Sequence, residues 1–224
     1  FGDHRQLPPV MRTRSGPELP QASVFGLLAG RGYSTMLTET WRLGPVLADW
    51  PSRHFYGGAL EPSQAFAHET LMLPRAPKSF QAVLDPAHPR VFCRVAHNGS
   101  RRRSEAEAAV VAGIVTELLR CGVAPKDLAV ITPFRAQANT IRIALQEADP
   151  DRTPSRELVI DTVERMQGQE REVVVVSLTS SDPAWVTRLA EFYFQPERLN
   201  VAVTRAKRKL ILVGSPLVLD AFPD

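Results

Sequence analysis

The chain has 224 residues, of which 44% are hydrophobic and 23% charged, and its formal net charge is +3. These values argue against intrinsic disorder, and no run approaches the roughly 18 apolar residues of a membrane span. The two cysteines, Cys93 and Cys121, cannot form a disulfide framework, so we expect a reducing, intracellular compartment, with the cytoplasm as the default. Because the chain starts at Phe1 rather than Met, we expect a piece of a longer protein.

The slight excess of positive charge permits a polyanionic partner without requiring one. Only four of the 27 basic residues are lysines, and arginine is the side chain that binds phosphate through two parallel hydrogen bonds. A GC-rich coding bias explains the same preference, so composition leaves both explanations open.

The first 60 residues predict little regular structure. Residues 1–22 lack periodicity and predict a loop, and Ser23 is placed to cap a short helix through Leu27 and Leu28. A short strand is predicted at Thr35–Leu37. Within residues 42–60, two prolines predict that any helix is short or interrupted.

Residues 61–89 hold five prolines and predict irregular structure, with one strand near Thr70–Leu73. From residue 90 onward, strands and helices alternate. Five strands are predicted at Arg90–Val95, Leu128–Thr132, Leu158–Thr162, Val173–Leu178 and Lys209–Gly214. The predicted helices are one that Ser104 and Glu107 begin as a capping box and Gly122 ends, one at Arg135–Ala148 and one at Glu197–Ala206.

Continuous apolar strands that alternate with helices predict an α/β fold, a doubly wound, mainly parallel sheet with helices on both faces. Ligands of such sheets bind at the carboxyl ends of the strands. Polar segments at 132–137 and 161–170 follow two of the strands, and a third, at 198–207, precedes the last strand. Taken singly, each segment also fits an ordinary strand end, turn or solvated helix.

Five blocks of sequence, taken in order, resemble the motifs III to VI of one family. They are Gly2-Asp3-His4-Arg5-Gln6, Thr40-Trp41-Arg42-Leu43-Gly44-Pro45, Ile131-Thr132-Pro133-Phe134-Arg135, Asp161-Thr162-Val163 through Gln167-Gly168-Gln169-Glu170, and Leu199-Asn200-Val201-Ala202-Val203-Thr204-Arg205. The family is the superfamily-one helicases, in the branch of the nonsense-mediated-decay helicase. Thr40 and Gly44 depart from its usual glutamine and histidine.

This resemblance implies the second of two RecA-like motor domains, which bind ATP and Mg²⁺ in the cleft between them. Residues 1–32 would be the tail of the first domain with motif III and the linker, and residues 33–224 the second domain. The phosphate-binding loop G-x-x-x-x-G-K-[ST] does not occur in this sequence. The resemblance therefore implies that the first domain holds the nucleotide phosphates and metal, and that the chain alone is inactive.

The same resemblance implies residue roles. The catalytic residues would be Gln6, which senses the γ-phosphate, and the arginine fingers Arg42 and Arg205. The residues that contact the nucleotide would be Trp41, Gly168 and Glu170. The residues that contact single-stranded DNA or RNA would be Thr132, Pro133 and Thr162.

The arginines 101–103 are a further candidate for contact with the strand, although a solvated loop before a helix is the simpler explanation. The resemblance implies movement from 5′ to 3′ along the strand. A non-catalytic nucleic-acid-binding or scaffold module with a helicase fold is the alternative to a motor domain.

Overall fold

The computed structural model describes residues 3, 5–7, 24–33, 35–149 and 155–221. Its strands are β1 (Glu39–Thr40), β2 (Glu61–Pro62), β3 (Arg90–Arg94), β4 (Leu128–Thr132), β5 (Val159–Thr162), β6 (Arg171–Ser177) and β7 (Ala206–Gly214). Five of them form one sheet in the order β3-β7-β6-β4-β5, and every neighbouring pair is parallel. The predicted α/β fold with a mainly parallel sheet is therefore confirmed.

The described residues form nine helices, several of which pack against each face of the sheet. They are α1 (Val24–Gly30), α2 (Pro45–Phe55), α3 (Gln81–Leu84), α4 (Glu105–Cys121), α5 (Arg135–Ala148), α6 (Val163–Met166), α7 (Pro183–Arg188), α8 (Ala190–Tyr193) and α9 (Pro196–Val203). Short 3₁₀ turns occur at Gln64–Phe66, Pro125–Asp127 and Pro216–Ala221. Among the described residues, no helix is long and apolar enough to cross a membrane.

Alternate residues of the central strands face two separate cores. Val130 and Val175 pack with α4 and α5 on one face, while Ile131 and Val176 pack with residues of α2, α6 and α9 on the other. All five residues of β4 are buried. Burial on both faces explains why these strands are continuously apolar and why the sequence predicts them well.

The helix α4 begins at a cap that the sequence predicts only in part. The Ser104 Oγ accepts the Glu107 N–H at 3.2 Å, and Gly122 ends the helix in the left-handed conformation at φ 99°. The Glu107 carboxylate does not complete the capping box. The backbone N–H of Ser104 instead donates to the Gln137 Oε1 at 2.7 Å, which leaves Glu107 free for the network described below.

Three predictions for the first 90 residues are wrong. No strand forms at Thr35–Leu37; the strand lies at β1, which pairs with β2 in parallel. The helix α2 runs through Pro51, because that proline is buried beside Leu47 and packing offsets the lost hydrogen bond. At Thr70–Leu73 the burial pattern alternates as in a strand, but the segment pairs with none.

Predictions at the ends of the regular elements also need correction. The last helix is shorter than predicted, at Pro196–Val203, and the last strand starts earlier, at Ala206. The helices α6, α7 and α8 were not predicted, since each has only four to six residues. The predicted cap at Ser23 lies outside the described residues.

Candidate functional site

The amino-terminal edge of the sheet brings together four of the predicted residues. Glu170 immediately precedes β6 and Arg205 immediately precedes β7, and the first residues of these two strands are paired. Gln6 and Arg42 reach the same place from the start of the chain and from the segment before α2. Residues distant in the chain thus meet at one edge.

Arg205 is the buried centre of this cluster, with 2% of its surface exposed. Burial, with the positive charge of Arg42 as a second cause, lowers the pKa of its guanidinium to about 10. Its hydrogen bonds go to neutral oxygens, namely the Val201 carbonyl at 3.1 Å, the Gln169 carbonyl at 3.2 Å, the Gln6 Oε1 at 3.3 Å and the Thr204 Oγ1 at 3.0 Å. Within the described part of the chain, the guanidinium is therefore a desolvated cation whose hydrogen-bond partners carry no negative charge.

Arg42 lies beside it and is more accessible. Its Nε donates to the Glu170 Oε2 at 2.6 Å, and 33% of its side chain is exposed. The other oxygen of Glu170 contacts the Lys207 Nζ at 2.7 Å, and these two cations, Lys207 first, lower the pKa of the carboxylate. The Thr40 Oγ1 accepts the Arg42 N–H at 3.3 Å and so fixes the turn that presents Arg42.

Gln6 joins the cluster through both ends of its amide. Its Oε1 accepts from Arg205, and its Nε2 donates to the Asp3 Oδ2 at 2.9 Å. Asp3 also accepts the Tyr56 hydroxyl at 2.7 Å, and the Asn200 Nδ2 donates to the Tyr56 oxygen at 2.9 Å. The segment around Gln6 is thereby held against α2 and α9.

Trp41 and Gly168 lie in segments that flank this cluster. The Trp41 side chain is 63% exposed, so its ring faces solvent next to Arg42. Gly168 adopts φ +80°, in the left-handed region that favours glycine, within the turn between α6 and Glu170. The Gln167 Nε2 donates to the Leu7 carbonyl at 2.8 Å and ties this turn to the segment that carries Gln6.

The carboxyl-terminal edge of the sheet carries the other predicted residues. Thr132 and Thr162 end neighbouring strands and are direct partners in the register. Thr162 is 8% exposed and its hydroxyl bonds to Glu164, while Pro133 is half-buried. Thr132 is fully buried, and its Oγ1 lies 3.1 Å from the Thr179 Oγ1. The two residues are adjacent, as expected, but the Thr132 hydroxyl does not face a surface groove.

The three polar segments therefore do not meet at one edge: the second runs from Thr162 at the carboxyl-terminal edge to Glu170 at the amino-terminal edge. Arg205 and Lys207 stand at the amino-terminal edge, whereas Thr132 and Thr162 stand at the opposite edge. The rule that ligands of such sheets bind at the carboxyl ends covers only the threonine edge. The fold thus separates the cationic cluster from the hydroxyl cluster by the length of the strands.

A sequence profile of the AAA domain family matches residues 21–217. The chain belongs to this family. Its relatives include the Regulator of nonsense transcripts 1 homolog of Neurospora crassa, which is 31% identical over 97% of this chain and 20% of that protein. The ATP-dependent helicase NAM7 of Saccharomyces cerevisiae is 28% identical over 96% of this chain and 22% of that protein. The expected membership in the superfamily-one helicases is confirmed.

A replication protein is also among the relatives. The DNA replication ATP-dependent helicase/nuclease JHS1 of Arabidopsis thaliana is 30% identical over 99% of this chain and 17% of that protein. The chain thus spans about a fifth of the length of these curated relatives. A crystal structure of the C-terminal domain of a possible DNA helicase from Lactobacillus plantarum matches with a TM-score of 0.44 and 16% identity, over 82% of this chain and 94% of that one.

Sequence reasoning missed several residues that hold the two edges of this helicase-family chain in place. Tyr56 and Asn200 fix the Gln6 segment, and burial raises the pKa of the Tyr56 hydroxyl to about 12. Both lie within or just behind blocks of the family resemblance. Their contacts join residues 53 to 195 positions apart, which no local pattern indicates.

The largest omission is Glu107, which is 0% exposed and organises the carboxyl-terminal edge. Its carboxylate accepts the Ser177 hydroxyl at 2.7 Å and the Thr179 N–H at 2.8 Å, and its Oε1 lies within hydrogen-bond distance of the His97 Nε2, at 2.7 Å. Thr179 has a φ of 73°, a conformation that is strained for a non-glycine residue. Glu107 therefore fixes the strained residue that bonds to Thr132.

Proposed function

We propose that this chain is the second RecA-like motor domain of an ATP-dependent helicase or translocase, with residues 1–32 as the tail of the first domain and residues 33–224 as the second. The observation that carries the proposal is the buried Arg205, a cation with neutral partners, next to Arg42 and Gln6. Such a pair of guanidinium groups suits the negative charge that spreads over the γ-phosphate oxygens during transfer.

Within this proposal, Arg205 and Arg42 act as arginine fingers and Gln6 senses the γ-phosphate. Positioned arginines of this kind accelerate phosphoryl transfer by about 10³–10⁵-fold. Arg42 must leave Glu170 to reach a phosphate. Because this ion pair is partly exposed, breaking it costs no more than about 1 kcal/mol, which a phosphate contact offsets.

The nucleotide contacts proposed for this chain are those to base and sugar. The exposed Trp41 ring offers a surface for stacking, Glu170 accepts from the sugar hydroxyls, and Gly168 keeps the intervening turn free of a side chain. We assign Mg²⁺ and the phosphate-binding loop to the first motor domain, because the loop sequence G-x-x-x-x-G-K-[ST] does not occur in this chain.

The carboxyl-terminal edge is proposed to hold single-stranded DNA or RNA. Pro133 offers a half-buried surface, and the Thr162 hydroxyl must exchange its bond to Glu164 for one to the nucleic acid. The ends of the β-strands offer backbone amides that bind phosphate without reading sequence. Because the Thr132 hydroxyl is buried, we assign Thr132 a contact through its backbone, with its side chain as a support. The two domains would close when ATP binds and open after hydrolysis. This cycle would move the carboxyl-terminal edge of the sheet along the nucleic acid.

Steady-state ATP hydrolysis tests the proposal. The 224-residue chain alone should give no turnover with or without an oligonucleotide, whereas the intact protein should give turnover that single-stranded nucleic acid stimulates. Robust turnover by the chain alone would show that the active site is misplaced. The absence of turnover in the intact protein would favour the alternative, a scaffold module with a helicase fold.

A further inference from the structure

The loop between β3 and α4 carries three consecutive exposed arginines, Arg101, Arg102 and Arg103. Because β3 is parallel to the other strands, this loop leaves the sheet at the same edge as Thr132 and Thr162. The loop lies outside the blocks that resemble motifs III to VI, so the resemblance gives it no role. Its position, its hydrogen bonds to the neighbouring segment and its charge nevertheless point to a ligand.

Hydrogen bonds fasten the loop to the segment that follows β6. The Ser181 N–H donates to the Ser100 carbonyl at 2.8 Å, and the Ser100 N–H donates to the Ser181 Oγ at 3.0 Å. The Ser180 hydroxyl donates to the Arg101 carbonyl. This is the segment in which Thr179 bonds to Thr132, so the arginine loop is held in a fixed position relative to the threonine edge.

An aromatic ring organises the guanidinium groups. The Cζ atoms of Arg101 and Arg102 lie 5.4 and 5.5 Å from the centre of the Trp185 ring, within the range of cation–π attraction. The Arg101 Nε also donates to the Asp182 Oδ2 at 2.9 Å. Within the described part of the chain, neither Arg102 nor Arg103 forms an ion pair, so their charges stay available for an anion.

The arginines line an open groove beside the first turn of α5. A cavity of about 650 Å³ lies between residues 98–103, Trp185 and Ala136. Ala136 stands in the first turn of α5, four residues after Thr132. A strand bound at Thr132, Pro133 and Thr162 therefore has an adjoining basic groove along which it can continue.

We propose that Arg102, which lies over the Trp185 ring, and its neighbour Arg103 bind the phosphates of a single nucleic-acid strand as it leaves the threonine edge. This inference rests on the proposed function of that edge. A single strand fits the groove better than an acidic peptide does, because the groove adjoins the edge of the sheet that is proposed to hold single-stranded nucleic acid. Phosphate contacts also leave the recognition independent of sequence, as a translocase requires.

Fluorescence anisotropy of the full 224-residue chain with labelled homopolymers tests the inference. The variant carries Arg102→Gln and Arg103→Gln, and the control carries Arg75→Gln and Arg90→Gln. Arg75 and Arg90 are also exposed, and they lie near the end of α4 and the start of β3, away from the groove. The two variants thus lose the same charge at opposite edges of the sheet.

For an oligonucleotide of about 16 nucleotides, the loop variant should bind about tenfold more weakly than wild type at 0.1 M salt. Its log–log salt slope should fall in magnitude by about 1.4, or about 0.7 for each lost phosphate contact. For an oligonucleotide of about 4 nucleotides, which cannot span both the threonine edge and the groove, the two proteins should bind alike. The control variant should match wild type.

Two outcomes would overturn the inference while leaving the proposed function intact. One is that the loop variant binds the long oligonucleotide like wild type, while Thr162→Ala weakens binding. The other is that the loop variant loses binding only to labelled polyglutamate, which would assign the groove to an acidic peptide. If the wild-type chain fails to bind any oligonucleotide at low salt, the proposed function of the threonine edge itself is wrong.

Discussion

The two edges of the sheet are built in opposite ways. At the amino-terminal edge, charged side chains from four distant segments meet, and Arg42 and Glu170 stay partly exposed in ion pairs that a ligand can exchange. At the carboxyl-terminal edge, Glu107, Ser177 and Thr179 form a buried network whose hydrogen bonds are already satisfied.

This difference separates the two tasks proposed for the domain. A site that stabilises a transient charge needs cations that can move to the phosphate as it reacts. A site that holds a strand through repeated steps needs a backbone that keeps one conformation, even where that conformation is strained, as at Thr179. Substitutions at the first edge should therefore change turnover, and substitutions at the second should change stability and strand binding.

The largest effect is expected for Arg205→Ala in the intact protein. Turnover should fall by about 10³-fold or more, because the buried cation proposed to face the γ-phosphate is lost. Strand binding by anisotropy should change less than twofold. Arg205→Lys should lose turnover as well, since an ammonium group cannot form the two parallel hydrogen bonds that a guanidinium group forms to one phosphate.

Arg208→Ala serves as the matched control, because Arg208 is a largely buried arginine three residues further on whose charge is paired with Glu69. It should keep turnover. Loss of turnover in the control at an unchanged melting temperature would mean that the effect of Arg205→Ala is not specific to Arg205.

The second effect is on stability at the opposite edge. Glu107→Ala should lower the free energy of unfolding by about 3–5 kcal/mol, because it leaves His97 and two buried donors without their partner. Urea denaturation measures the change. Glu105→Ala, an exposed residue in the same first turn, should cost less than about 1 kcal/mol. Equal costs for the two variants would refute the central role of the Glu107 carboxylate.

The third effect is on strand binding. Thr162→Ala should weaken single-strand binding by about 1 kcal/mol, or up to twice that if the hydroxyl contacts a charged phosphate. Fluorescence anisotropy at constant salt concentration measures the loss of affinity. The rate of ATP hydrolysis at a saturating concentration of single-stranded nucleic acid should stay near that of wild type. A loss of turnover without a loss of affinity would move Thr162 to the other site.

The smallest effect concerns the ion pairs of Glu170. Glu170→Gln should change the free energy of unfolding by less than about 1 kcal/mol at neutral pH, because the carboxylate is 40% exposed. Since Lys207 and Arg42 lower its pKa below 4.5, the contribution should be present above that pH and be lost as the pH falls further. If the difference in the free energy of unfolding between wild type and Glu170→Gln increased as the pH fell, the predicted pH dependence would be wrong.

The sequence predicts the buried half of the fold better than its surface. The strand β4 and the helix α5 have the predicted bounds, since β4 is an apolar run that ends at Thr132 and α5 has clear helical periodicity. The helix α2 was not predicted as continuous, because the cost of Pro51 is visible in the sequence while the packing that offsets it is not.

For the candidate site, too, the sequence predicts some features, and others depend on contacts that only the folded chain makes. Family motifs identify the residues that meet at the amino-terminal edge, although their roles stay predictions. The position of Glu107 three residues after Ser104 is typical of a helix cap, and this local pattern conceals its long-range role. The burial of the Thr132 hydroxyl likewise depends on Thr179, which only the folded chain brings near.

The most direct test of the separation between the edges is a paired measurement on Arg42→Ala in the intact protein. The Arg42 side chain is one-third exposed and bonded to a partly exposed carboxylate, so its removal should not unfold the domain. Steady-state ATP hydrolysis and single-strand anisotropy are measured on the same sample. The account predicts turnover reduced by about 10³-fold with strand affinity unchanged. Retained turnover with weakened strand binding would contradict it.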